Sequence, residues 1–135
     1  MKKRLTASLL VLIALFLVAL PVSASSVDQW VELDYWSSSK DSYSRYGTDV
    51  YINVSNTAAG SNRSSIYFEV VDAWEGVIDS GVVIPSYDYY NNIQNGDYVT
   101  SREYHFDTAH PVHVVLYSMN GYGSEGDAYI VWENN

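Results

Sequence analysis

The chain has 135 residues, no cysteine, thirteen tyrosines and four tryptophans, and its seven basic residues stand against sixteen acidic ones. An acidic excess of this size repels nucleic acid and anionic lipid, because both are held by Lys and Arg that displace counterions. Without thiols there are no disulfides and no cysteine-ligated metals, so the fold rests on packing and backbone pairing alone.

The first residues, Met1-Lys2-Lys3-Arg4, are positive, and an uncharged apolar stretch over 9–20 follows. Pro21 then breaks any helix, and Val22-Ser23-Ala24 places small residues at the −3 and −1 positions of a signal-peptidase site. This order predicts a secretory signal peptide over 1–24 and a single domain over 25–135. The apolar stretch is short of the ~20 residues that cross a bilayer, so no membrane association is expected after cleavage. A cysteine-free exported chain points to a bacterial, extracellular setting. The cleaved form keeps Lys40, Arg45, Arg63 and Arg102 against all sixteen acids, a formal charge of −12. Its roughly 110 residues suffice for one core, burying ~65% of the unfolded surface.

The remaining sequence shows no helical period of apolar residues, whereas period-2 runs recur between turn residues. The first predicted strand covers 27–36, with Val31, Leu33 and Tyr35 on one face and Trp30, Glu32 and Asp34 on the other. A polar loop over 37–47 leads to a strand over 49–56, where Val50, Ile52 and Val54 alternate with Asp49, Tyr51, Asn53 and Ser55. Strand 65–72 carries Ile66, Phe68 and Val70 inward. Strand 77–84 follows; Gly81 suggests a bulge and Pro85 ends the pairing. Residues 86–97 read as an irregular crossover that closes on an Asn95-Gly96 turn. Strands 98–107 and 111–119, joined by a three-residue hairpin, precede a loop containing Gly121, Gly123 and Gly126 and a last strand over 127–133. About seven strands predict an all-β sandwich of immunoglobulin-like or jelly-roll type. The expected core is Val31, Leu33, Val50, Ile52, Val54, Ile66, Phe68, Val70, Phe106, Val112, Val114, Leu116, Ile130 and Trp132.

Three groups of residues have functional chemistry. The hairpin over 108–110 would set His105 opposite His113 with Asp107 nearby, a pair of imidazoles and a carboxylate suited to Zn²⁺ or Cu²⁺. Tyr51, Tyr67, Tyr117 and Tyr129 fall opposite core residues, so their strands would show an outer aromatic band flanked by Asp49, Asn53, Glu69 and Glu133. Tyr87, Tyr89, Tyr90 and Tyr122 would present aromatic rings from loops. Flat rings beside carboxylates and amides suit sugar or protein recognition. Loop acids (Asp72, Glu75 and Asp79; Glu125 and Asp127) offer oxygen ligands for Ca²⁺, without a spaced calcium-loop motif. The sequence has no cofactor motif and no G-x-S-x-G, H-E-x-x-H or Gly-rich phosphate loop.

These observations predict a secreted, non-catalytic binding module for an extracellular carbohydrate or protein. The alternative from another class is a small secreted antagonist, a bacteriocin-like toxin or enzyme inhibitor. A structural coat or matrix subunit is a third.

Overall fold

The computed structural model describes residues 24–58, 63–88, 93–94 and 98–135. The predicted leader, the Asn95-Gly96 turn, Tyr89 and Tyr90 lie outside them. Alternation of apolar and polar side chains sets the strands, and among the described residues there is no helix. In chain order the strands are β1 (Ser25–Leu33), β2 (Ser39–Asp41), β3 (Arg45–Asn56), β4 (Ile66–Asp72), β5 (Gly76–Val83), β6 (Tyr87–Asp88), β7 (Ile93–Gln94), β8 (Val99–Ser118) and β9 (Gly126–Asn134). Seven of them form one antiparallel sheet in the order β1-β9-β3-β8-β4-β5, with β2 also on β8. The crossover over 86–97 contains a small hairpin of its own, in which Tyr87 faces Gln94 and Asp88 faces Ile93.

The sheet folds over into two layers because β8 serves both. Its first half pairs with β3, from Ser55↔Val99 to Asp49↔His105. Its second half pairs with β4, from Asp72↔Val112 to Ile66↔Ser118, and with β2 on the other side. Taking the two halves separately gives layers β1-β9-β3-β8 and β2-β8-β4-β5. Eight strands in two such layers are the layout of a jelly roll, which decides between the two expected sandwiches.

The predicted hairpin at 108–110 is therefore corrected. Both halves of β8 run in the same direction along β3, where Gly47 pairs with His110 and Asp49 already pairs with His105. Residues 106–109 are opposed by Thr48 alone and form a wide bulge. Thr108-Ala109-His110 contains no residue that readily takes the positive φ of a tight hairpin, so the extra length bends the strand from layer to layer instead of reversing it. His105 and His113 consequently have unrelated neighbours: His105 lies opposite Asp49, and His113 opposite Val71.

One apolar cluster fills the space between the layers. It contains every expected core residue except Phe106, together with Val83 and Ala128. Phe106 stays half-buried because it sits in the bulge, stacked on His110 with ring centroids 4.4 Å apart. Trp132 crosses the core and donates its indole N–H to the Val112 carbonyl at 2.9 Å. Two strand details also differ from expectation. β1 stops at Leu33 because the Asp34 carboxylate accepts the amides of Trp36 and Ser37 at 3.0 and 3.1 Å, turning the chain. The bulge in β5 falls at Ile78, between the pairs Val70↔Asp79 and Val71↔Val77, and not at Gly81. Gly81 answers a packing need, since a Cβ there would lie 2.7 Å from the Phe68 ring.

Candidate functional site

Strand parity places the odd residues of β3, β9 and the first half of β8, and the even residues of β1, on the outside of the first layer. The registers then fix four rungs across that face. They are Glu32–Asp127–Ser55–Val99, Trp30–Tyr129–Asn53–Ser101, Asp28–Val131–Tyr51–Glu103 and Ser26–Glu133–Asp49–His105. The two inner rungs hold the aromatic side chains, and every rung except Trp30–Tyr129–Asn53–Ser101 carries two carboxylates.

Trp30 is 62% exposed, and its ring lies against Tyr129 with centroids 4.7 Å apart and planes inclined by 34°. The pair makes a nearly continuous aromatic surface across β1 and β9. Beside it, Tyr51, Tyr129, Val131, Asn53, Ser101 and Glu103 line a shallow groove of about 400 Å³. Polar groups along the groove are already oriented. Asn53 Nδ2 donates to Ser101 Oγ at 3.0 Å, and the Tyr129 hydroxyl donates to Asp28 at 3.1 Å. That bond, followed by partial burial, pushes the Tyr129 hydroxyl above its ordinary titration range. Tyr51 is raised too, by burial first and then by the charges of Glu103, Glu133 and Asp49. Both phenols therefore stay protonated in a negative field and remain donors. At the end of the face, Asp49 accepts from the His105 ring at 2.6 Å and from Asn135 at 2.7 Å. The histidine bond leads the causes that hold the Asp49 carboxyl below its usual value and His105 above its own.

The predicted tyrosine band divides between the layers. Tyr51 and Tyr129 share the face just described. Tyr67 and Tyr117 are directly paired on β4 and β8, on the outside of the other layer, with ring centroids 5.8 Å apart. Their hydroxyls converge on the two oxygens of Glu69, each at 3.1 Å, so this pair is closed by its own carboxylate. Tyr122 lies in the loop past β8 and joins Tyr35, whose ring is 6.5 Å away and itself packs edge-on against Trp36. Of Tyr87 only the backbone, in β6, is described. Trp30 is the residue that sequence reasoning left out of the site. Its parity, opposite in sense to Val31 and Leu33, already placed it outward.

His105, Asp107 and His113 form no ligand group. Among the described residues, the three side chains whose ligand atoms lie within 4.8 Å of one another are Asp72, Glu75 and His110. Asp72 is fully buried. One of its oxygens accepts the Trp74 and Glu75 amides at 2.7 and 3.4 Å, and the other bonds to His110 Nδ1. Burial pushes this carboxyl up, but the imidazole and the two amides outweigh it and hold it below the ordinary value. These contacts describe a β4–β5 turn capped by the Asp72 carboxylate and tied to the β8 bulge through His110. Asp79, the third acid expected in that group, faces inward and bonds instead to Arg102 Nε at 2.9 Å and the Tyr104 hydroxyl at 2.7 Å, linking the layers.

The fold and this face define a jelly-roll β domain with an aromatic, acid-rimmed sheet surface. No protein-family model matches the chain, and no curated protein matches it in sequence. Several solved structures are similar in shape. One is from "Bacillus endospore appendages form a novel family of disulfide-linked pili", at 8% identity over 83% of this chain and 89% of that one, TM-score 0.47. Another is Aeromonas hydrophila PliG, a periplasmic inhibitor of g-type lysozyme, at 11% identity over 84% and 90% of the two chains, TM-score 0.38. A third is CsCBM6-3 from Clostridium stercorarium in complex with cellobiose, at 12% identity over 86% and 78%, TM-score 0.33.

Proposed function

We propose that the chain is an exported, non-catalytic binding module and that the outer face of the β1-β9-β3-β8 layer takes an extracellular carbohydrate. The observation that carries this reading is the Trp30–Tyr129 ring pair, with Trp30 exposed on the outer sheet face and Tyr129 lining the groove beside Asn53, Ser101 and Glu103. Apolar sugar faces stack on such rings, while amide, hydroxyl and carboxylate groups at the rim meet the sugar hydroxyls. Export rests on the basic, apolar and small-residue order of the first 24 residues.

Size favours a sugar over a protein partner. Four strands ~4.8 Å apart, over seven residues rising ~3.3 Å each, give a face of about 14 by 20 Å, or ~300 Å². A stable protein interface covers about 800 Å² per partner. The groove, at about 400 Å³, is within the range of small-ligand sites.

The test is a glycan array with the intact protein, followed by calorimetry with Trp30→Ala. A sugar ring that covers ~50 Å² of the indole is worth about 1.3 kcal/mol, roughly tenfold in affinity. Trp30 is largely solvent-exposed, so the variant folds. Binding that survives Trp30→Ala and Tyr129→Ala unchanged would remove the face from the site. An array with no glycan bound would remove the carbohydrate.

A further inference from the structure

The charge on the same face narrows the ligand. Six carboxylates point outward from its four rungs: Asp28, Glu32, Asp49, Glu103, Asp127 and Glu133. The one base among these rung positions is His105, and it is bonded to Asp49. Arg102 also borders the groove, yet its parity is inward and its guanidinium is committed to Asp79. Lys40 lines the neighbouring groove at the β1 edge together with Trp30, Glu32, Asp34 and Asp41, where carboxylates outnumber it three to one. The aromatic centre is thus ringed by acids with no unpaired cation on its rungs.

We propose that the ligand is a glycan bearing free amines, a polymer of hexosamine units whose ammonium groups sit between the rim carboxylates while the ring faces stack on Trp30 and Tyr129. The inference rests on the carbohydrate reading above and sharpens it. Uronic, sulfated and phosphate-bearing glycans are disfavoured, because each anion over the aromatic rungs would face like charges in its own rung or the next one, ~7 Å away and inside the screening length of ~8 Å at physiological salt. A neutral glycan gains the stacking and gives up the attraction. An amine on successive sugars gains both, since acids flank the aromatic rungs on either side.

The experiment compares four probes on the intact protein by calorimetry at low salt. They are a glucosamine hexamer, its fully N-acetylated counterpart, a cellohexaose of equal length and polylysine. The glucosamine hexamer is expected to bind at least about tenfold tighter than either neutral hexamer. That preference should weaken in 0.5 M salt, drop several-fold in Asp28→Asn and Glu103→Gln, and disappear with the binding itself in Trp30→Ala. Both carboxylate variants change exposed side chains and leave the core intact. Equal affinity for the amine-bearing and neutral hexamers overturns the inference and leaves the carbohydrate reading standing. Polylysine bound as tightly as the glucosamine hexamer, with no effect of Trp30→Ala, overturns it in favour of non-specific ion exchange. Failure of all three glycans overturns the inference, while the carbohydrate reading is removed by an array on which no glycan binds.

Discussion

Asn56 offers a direct measurement of what holds one end of the two layers together. It is fully buried at the end of β3, where its Nδ2 donates to the Ser64 and Val83 carbonyls at 3.0 Å each and its Oδ1 accepts the Ala58 amide at 3.1 Å. Asn56→Ala removes all three bonds. The Ser64 carbonyl keeps the Ser124 hydroxyl at 3.0 Å, so the loss falls on Val83 and Ala58. Depriving a buried backbone group of its partner costs about 1–3 kcal/mol, and the space left by the amide adds to it. The expected total is about 3–4 kcal/mol, a large part of the stability of any small domain. With a urea slope of about 1.5 kcal/mol per molar, the midpoint falls by roughly 2 M. Urea titration followed by both circular dichroism and tryptophan fluorescence reads this, and Asn53→Ala on the exposed face is the control, at about 0.5 kcal/mol or less. An Asn56→Ala protein within 0.5 kcal/mol of the parent at an unchanged slope would falsify the assignment of the amide to these buried partners.

Acid stability follows from three carboxylates, Asp49, Asp72 and Asp79, each held below the reference value of 3.8 in the folded chain. A depressed folded value means their contribution is complete above pH 3.8 and lost as pH falls through the folded values, so the urea midpoint should drop steeply below about pH 4. Asp72→Asn should lower the plateau and flatten that limb; an acid limb unchanged by the substitution would count against the buried Asp72–His110 tie. His105 has the opposite sign. Raised above 6.5, it stabilises fully below that value and loses its contribution as pH rises through the folded one, by a small amount because its side chain is 74% exposed. Glycine substitutions should rank by contact. A Cβ at Gly126 would lie 2.0 Å from the Ser55 carbonyl oxygen, so Gly126→Ala must open the β3–β9 pairing and cost several kcal/mol. Gly76, with φ +88° and open space around it, should cost about 1–2 kcal/mol as alanine from backbone strain alone. Thermal denaturation of the two variants checks the order.

Much of this molecule could be read before folding. Val50, Ile52 and Val54, or Ile66, Phe68 and Val70, declare their buried face by alternation, and the same parity put Tyr51 and Tyr129 outside. What alternation does not encode is which strands become neighbours. Tyr67 and Tyr117 obey the same rule as Tyr51 and Tyr129, yet they belong to the opposite layer and their hydroxyls are spent on Glu69. The continuity of β8 was hidden because Thr108-Ala109-His110 between two apolar runs resembles a reversal, and only pairing with β3 shows that the chain bends there without turning back. Asp72 and His110, 38 positions apart, meet only after that strand has crossed between layers. Trp30 was visible as an outward residue, but its importance comes from Tyr129 on a strand a hundred residues away.

A strand threaded through both layers leaves the domain without a seam. Neither layer can swing away while β8 stays intact, so amide exchange in its two paired parts, on either side of the 106–109 bulge, should report a single opening energy. For a molecule arriving at the Trp30–Tyr129 surface, this makes the protein a stiff plate. Recognition then proceeds by docking, with little entropy spent on reshaping the receptor.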